Sequence, residues 1–299
     1  MNQVPSQAPS GRRKRFQRER ARRPGFVFQE RDRLILDAVW RHRFLDSRHI
    51  ARLVAGSHQN ILRRLQKLYH HGHLDRPPEQ RVLQGHPIIY ALGKRGAEVL
   101  AEATGKKLTA QDWSEKNRTV TAPHLQHALM VSEFLTALQA AIAGMDLKMP
   151  RLELAGPALR FVGLAPSRQG EFERVPIAPD AFFVLQDPEG RIPYLLECDR
   201  GTIPAQRYLR KLQAYFYWWQ TGGHTRALGI KQFRILTLTR TTEREESLRK
   251  IAIKANARQT GWRGFWFGSM EDFKPETPTT VLKPFWKVPG EESTYSLLD

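Results

Sequence analysis

The sequence predicts a two-part chain of the α+β / α/β class, an N-terminal winged helix-turn-helix followed by an α/β domain built on a mixed sheet. Its 299 residues suffice for about two domains. Residues 28–104 alternate short amphipathic helices with tight turns, pass through two strand-like runs and close on a further helix. Residues 123–275 open with a long apolar helix and continue as strands, then as alternating helix and strand. That is the order of a mixed sheet with helices on both faces.

Residues 1–27 read as a disordered basic arm. Up to residue 25 they carry seven Arg (12, 13, 15, 18, 20, 22 and 23) and Lys14 against Glu19 alone, and a block of like charge repels itself. Arg12, Arg13, Lys14 and Arg15 are its densest run, suited to tracking phosphates or simply to solubility. A first helix then carries Leu34, Ile35, Ala38 and Val39, and a second, capped by Asp46 or Ser47, carries Ile50, Leu53 and Val54. After the turn Ala55-Gly56-Ser57 comes a third helix over about residues 59–71. It sets Ile61, Leu62, Leu65, Leu68 and Tyr69 on one side and Asn60, Arg63, Arg64 and Lys67 on the other. Leu74-Asp75-Arg76 and Ile88–Leu92 read as two strands around a polar loop, a wing bearing Arg76 and Arg81. A helix over about 93–104 follows, and polar residues 105–122 are expected to be a linker.

In the second part a helix from His124 to Ala143 is apolar over more than half its circumference, as for a helix laid on a sheet. Strands are expected at 152–154, 161–163, 181–185, 194–199, 233–239 and 264–267, with helices over about 204–219 and 242–260. Residues 276–299, rich in Pro and Thr, read as an irregular tail.

Composition narrows the function. With 40% hydrophobic residues the chain can build cores, and no run approaches the roughly 18 apolar residues of a membrane span. The Arg-rich start lacks the apolar segment of a secretory signal, and a single cysteine, Cys198, excludes an internal disulfide. A cytoplasmic setting is expected. A net charge of +18 points to a polyanionic partner, foremost double-stranded DNA. There is neither a glycine-rich phosphate loop nor a Gly-x-Ser-x-Gly elbow, which argues against nucleotide hydrolysis and serine hydrolase chemistry.

The sharpest candidate site is Pro179-Asp180 with Glu197-Cys198-Asp199-Arg200. Asp187-Pro188-Glu189-Gly190 has turn composition, and counting back from a 187–190 pair sets Asp180 opposite Glu197, unless Pro193 introduces a bulge. Two opposed carboxylates repel unless a cation lies between them, so Asp180 and Glu197 form a plausible Mg²⁺ site; the alternative is that Asp180 and Asp199 are strand-end residues in solvated loops. Alternation puts Asp199 on the same face and Cys198 in the opposite, apolar layer. Arg207 and Lys211, four apart on the next helix, add cations, and Leu212, Tyr215, Phe216 and Trp219 read as core. Glu133, in the long apolar helix, belongs either to the site or to a polar face. His70, His71 and His73 read as solvated, and His124 and His127 as structural or as a polar edge of an interdomain contact.

Several of these segments together resemble the plasmid replication-relaxation family. They are the helical region of 29–104, Leu125-Gln126-His127-Ala128-Leu129, Pro179-Asp180, Leu196-Glu197-Cys198-Asp199-Arg200-Gly201-Thr202 and Lys211-Leu212-Gln213-Ala214-Tyr215, and the resemblance covers about residues 28–220. It implies DNA binding at plasmid or mobile-element loci, in replication, relaxation or mobilisation. Winged helices also mediate protein contacts, so a relaxase or replication initiator would suit as a partner of an accessory factor. The second part is also similar to the PD-(D/E)xK nuclease fold. That likeness puts Glu133, Asp180 and Glu197 on the acidic positions, Asp199 where the lysine normally stands, and Lys211 as a relocated lysine.

Two functions remain open. One is an accessory factor that reads the major groove through Asn60, Arg63, Arg64 and Lys67, with Arg76, Arg81 and the arm on phosphate or the minor groove. The other is a Mg²⁺-dependent endonuclease or nickase using Asp180, Glu197 and Lys211.

Overall fold

The structure, a computed structural model, describes residues 16–18, 26–108, 112–167, 169–256, 258 and 260–299. The chain is α+β and divides into two compact units, Met1–Ala122 and Pro123–Asp299.

The first unit contains α1 (Glu30–His42), α2 (Ser47–Leu53), α3 (His58–His70), α4 (Lys94–Thr104) and α5 (Trp113–Arg118). A small antiparallel sheet joins β1 (Leu45–Asp46), β2 (Leu74–Asp75) and β3 (Ile89–Leu92), with β3 in the middle. Ile35, Leu36 and Val39 of α1, Ile50 of α2, and Ile61, Leu65 and Leu68 of α3 meet in one apolar core. Leu34 and Leu62, expected inside, are exposed, because at about 100° per residue each falls outside the arc that its buried neighbours define. Asp46 caps α2 by accepting from the Arg48 and His49 amides at 2.8 and 3.0 Å.

Three expectations for this unit need correction. The stretch between β2 and β3 is not a plain loop. It forms a 3-10 turn over Pro78–Val82, whose buried Gln80 donates to the Pro77 and Ile89 carbonyls and accepts from the Ile89 amide. Residues 105–122 are not wholly linker, because Trp113 joins the core with its indole N–H on the Leu108 carbonyl (2.7 Å). Asn117, also buried, donates to Leu92 O and Asp75 Oδ2. Arg18, assigned to a disordered arm, donates to the Tyr69 and Leu74 carbonyls and pairs with Asp75. One aromatic or amide in a polar stretch is enough to anchor it when it completes a neighbour's hydrogen bonds.

The second unit is built on a mixed seven-stranded sheet. Its strands are β4 (Lys148–Leu154), β7 (Ala181–Gln186), β8 (Arg191–Asp199), β9 (Arg234–Thr239), β10 (Phe265–Ser269), β11 (Trp286–Lys287) and β12 (Thr294–Tyr295), in the order β12-β11-β10-β9-β8-β7-β4. The central β8, β9 and β10 are parallel and the outer pairs antiparallel. The helices are α6 (Ala122–Ile142), α7 (Ala205–Gln220), α8 (Gly223–Leu228) and α9 (Thr242–Ala252). Phe134, Leu135 and Leu138 of α6 cover one face over Phe183, Leu196 and Leu238. On the other face Tyr208, Leu212 and Tyr215 of α7 and Leu248 of α9 cover Phe182, Leu195 and Ile235. Each such side chain contributes about 1.5–3 kcal/mol by leaving water.

A separate hairpin, β5 (Phe161–Pro166) with β6 (Phe172–Ile177), lies on α7. Gly163 permits the contact, since a Cβ there would sit 2.4 Å from the Ala214 carbonyl oxygen. β6 escaped the sequence reading because only Ile177 of its residues is buried, which leaves no alternation to see. The tail of 276–299 is not irregular throughout, for it supplies β11 and β12 and buries Trp286 and Leu297 in the core. Strands of two residues are too short to show a period. The helix expected to run to residue 260 stops at Ala252 and tightens into a 3-10 turn at Ile253–Ala255.

Candidate functional site

The hairpin of β7 and β8 positions the acidic residues. Its turn closes with the Asp187 amide on the Gly190 carbonyl (3.1 Å), while Asp187 Oδ1 accepts from the Glu189 and Gly190 amides. From Gln186↔Arg191 to Ala181↔Leu196 the register is unbroken, Val184↔Pro193 included. At Asp180 it is left, because the Asp180 amide bonds the Leu196 carbonyl (2.8 Å), so the expected Asp180–Glu197 pair does not form, although both residues stand at the open end of the hairpin. Pro193 makes no bulge.

The two carboxylates then turn to different helices. Glu197, with 6% of its side chain exposed, takes the Lys211 ammonium on Oε2 and the Tyr215 hydroxyl on Oε1, both at 2.5 Å. Lys211 and Tyr215 are four apart and so share one face of α7. Burial pushes the Glu197 carboxyl above its ordinary range, with Asp180 acting in the same direction, and Lys211 and Tyr215 pull against it. Asp180 accepts from the Cys198 amide on Oδ2 (2.8 Å), and its Oδ1 lies 2.8 Å from His127 Nε2 on α6. Hydrogen bonding to Asp180 raises the His127 pKa against the opposing effect of burial.

That shift is measurable. A folded-state pKa above the unfolded one means the His127–Asp180 pair stabilises fully below about pH 6.5, and this contribution fades as pH rises through the raised value. A proton NMR titration is expected to place the His127 midpoint above about 6.5, and Asp180→Asn should bring it down. A wild-type midpoint at or below that value would contradict the pairing.

Asp199 is on the Glu197 side of the sheet but is not part of this cluster. It is buried and binds Arg244 Nε of α9 at 2.5 Å, with the Gly201 amide on its other oxygen. Arg244 also donates to the Ile203 carbonyl, so Asp199 ties α9 to the segment that leads into α7. Cys198 faces the α6 layer, where burial pushes its thiol well up and leaves it inert. Arg207 is exposed one turn before Lys211.

Glu133 lies six residues beyond His127, about 9 Å along α6 and about 120° away around it. It lines a pocket with Gln126, Leu129, Met130, Arg200, Arg240 and Met270. His127, Tyr215 and Arg244 were missed as site residues. The spacing of Lys211 to Tyr215 and the position of His127 one helical turn from the start of the long helix were the available signals.

Hard carboxylate oxygens suit Mg²⁺, and those of Asp180 and Glu197 keep lone pairs beyond their present hydrogen bonds. No three His, Cys, Asp or Glu ligand atoms among the described residues of this unit lie within 4.8 Å of one another. An ion there would complete its shell with water.

In the first unit Asn60, Arg63 and Lys67 project from the outer face of α3 and are exposed, together with Gln59 and Gln66. Arg64 departs from the expected face. Its side chain is 11% exposed, pairs with the fully buried Asp32 of α1, donates to the Val27 carbonyl and lies over the Phe26 ring. Arg76 is half-buried, 4.0 Å from the centre of the Tyr69 ring, whereas Arg81 is exposed over Phe16. Arg12, Arg13, Lys14 and Arg15 lie outside the described residues. The unit carries 25 Lys and Arg against 11 Asp and Glu, which is +14 of the net +18.

The model of the replication-relaxation family matches residues 36–232, which is 197 of the 299. The chain belongs to the replication-relaxation family. The match runs from α1 past α8 and so takes in both α3 and the Asp180–Glu197 hairpin. No curated protein and no solved structure matches the chain. Among the described residues, no helix of this replication-relaxation protein is long and apolar enough to cross a membrane.

Proposed function

We propose that this replication-relaxation protein is a double-stranded DNA-binding accessory factor of a plasmid or mobile element, acting in replication, relaxation or mobilisation. The observation that carries the reading is the α3 face. Asn60, Arg63 and Lys67 stand exposed and within one third of the helix circumference, in the unit that holds most of the positive charge. The helices α2 and α3 followed by the β2–β3 hairpin are the parts of a winged helix, with α3 as the element that enters the major groove. Asn and Arg hydrogen-bond adenine and guanine edges in bidentate fashion, while Lys67, Arg81 and the run from Arg12 to Arg15 neutralise phosphates. A relaxase or replication initiator is the partner that suits such a factor. Selection of binding sites from a random duplex library tests the reading. Arg63→Ala is expected to change which sequences are recovered, and equal weakening on all sequences would defeat the assignment of Arg63 to base contacts.

A second reading, a Mg²⁺-dependent endonuclease or nickase of PD-(D/E)xK type, draws on one observation. Asp180 and Glu197 stand together at the open end of the β7–β8 hairpin, and Lys211 from the next helix reaches Glu197. Asp180 and Glu197 would hold the ion, Lys211 would stabilise charge on the phosphate, and His127 and Tyr215 would orient the carboxylates. A bound divalent ion there supplies an activated water. The Asp199–Arg244 pair at the lysine position favours the accessory reading. Nicking of supercoiled plasmid in Mg²⁺ or Mn²⁺, lost in both Asp180→Ala and Glu197→Ala at matched DNA binding, would establish the nuclease. Binding without cutting in either metal would reject it.

A further inference from the structure

The parallel strands β8, β9 and β10 end in register. Asp199 pairs with Thr239 and Thr239 with Ser269, so Arg200, Arg240 and Met270 are the next residues of three adjacent strands. Alternation turns all three toward the α6 face, the face of Cys198, Leu238 and Trp266. There they line one cavity of about 340 Å³ with Gln126, Leu129, Met130 and Glu133 of α6. Two guanidiniums are thus neighbours at the carboxyl ends of parallel strands, where ligands of open α/β sheets gather.

Neither arginine makes an ion pair with a carboxylate among the described residues. Arg200 donates to the Pro123 carbonyl and to the Gln126 side-chain oxygen, and Arg240 is exposed without a hydrogen bond among the described residues. Burial and then the Arg240 charge lower the Arg200 pKa, which reports the mutual repulsion. Like charges on adjacent strands destabilise unless a counter-charge lies between them. Glu133 supplies one negative charge to the cavity wall, which leaves the lining at +1.

We propose that a phosphate group binds between Arg200 and Arg240, in the pocket over the ends of β8, β9 and β10. Planar guanidiniums match the spacing of phosphate oxygens and hold them bidentately. The Gln126 amide, on the same wall, adds a neutral donor. This site is independent of α3, and either a strand's phosphodiester or a free phosphate-bearing molecule would supply the ligand.

Titration calorimetry of the full chain at constant ionic strength, with inorganic phosphate and separately with a thymidine dinucleotide, tests it. Proton–nitrogen NMR of the Gln126 side-chain amide provides a local readout. Wild type is expected to bind with a shift of the Gln126 signal. Arg240→Gln, which removes no contact that holds the fold and relieves the repulsion from Arg200, is expected to bind about tenfold more weakly with no loss of melting temperature. Arg240→Lys should recover part of the loss, because it keeps the charge without the fork. Tighter binding of the dinucleotide would identify a strand backbone as the source, and equal binding a free phosphate. Absence of binding by both probes, or binding by Arg240→Gln equal to wild type, would overturn the proposal.

Discussion

Lys211→Met is expected to lower the stability of the second unit by about 3 kcal/mol at pH 8, since it leaves a buried carboxylate without its cation. Glu197 keeps only the Tyr215 hydroxyl in the variant. The pH dependence gives the effect a signature. Burial already raises the Glu197 pKa with Lys211 present, and loss of Lys211 removes the ammonium charge that does most to hold it down. A carboxyl whose folded pKa exceeds its unfolded value adds stability below the unfolded value, and that stability is lost as pH rises through the folded one. The deficit of Lys211→Met against wild type should therefore shrink as pH falls from about 8 toward about 5. Urea unfolding at the two values checks it. A deficit independent of pH would mean that Lys211 acts through packing alone, and a Glu197→Gln/Lys211→Met pair should recover much of the loss.

Arg64→Met is expected to destabilise the first unit by about 3–5 kcal/mol, since Asp32 is fully buried and Arg64 is its cationic partner. Asp32 also accepts from the Gln29 amide at the start of α1, so the pair pins that helix terminus to α3. The adjacent Arg63 is exposed, and Arg63→Ala should leave stability within about 0.5 kcal/mol. Thermal or urea unfolding of the two variants separates the roles. Equal stabilities would contradict the division of labour between neighbouring arginines.

That division shows where sequence reading stops. The apolar periodicity of residues 58–70 located α3, but it placed Arg63 and Arg64 together, although residues adjacent in a helix diverge by about 100°. Arg64 faces α1 because Asp32 is there, and a contact 32 residues away leaves no local trace. The opposite holds for the β7–β8 hairpin. A turn with Pro at its second and Gly at its fourth position sets the register by itself, and counting residues sufficed as far as Ala181 opposite Leu196; at Asp180 the amide bonds the Leu196 carbonyl and the count fails.

What counting could not supply was the third dimension. Asp180 meets His127 on one layer, Glu197 meets Lys211 and Tyr215 on the other, and Asp199 is claimed by Arg244, 45 residues on. Strand ends, buried Trp113 and the two-residue strands of the tail follow from tertiary packing, which overrides composition in polar or Pro-rich segments.

The most direct measurement is equilibrium binding of a labelled duplex over a salt series by wild type and by an Asn60→Ala/Arg63→Ala/Lys67→Ala variant. Wild type is expected to bind with affinity that falls steeply as salt rises. The variant, at an unchanged melting temperature, is expected to lose at least about tenfold and to show a shallower salt slope. Absence of duplex binding by wild type, or a folded variant that binds as wild type does, would contradict the assignment of DNA recognition to α3.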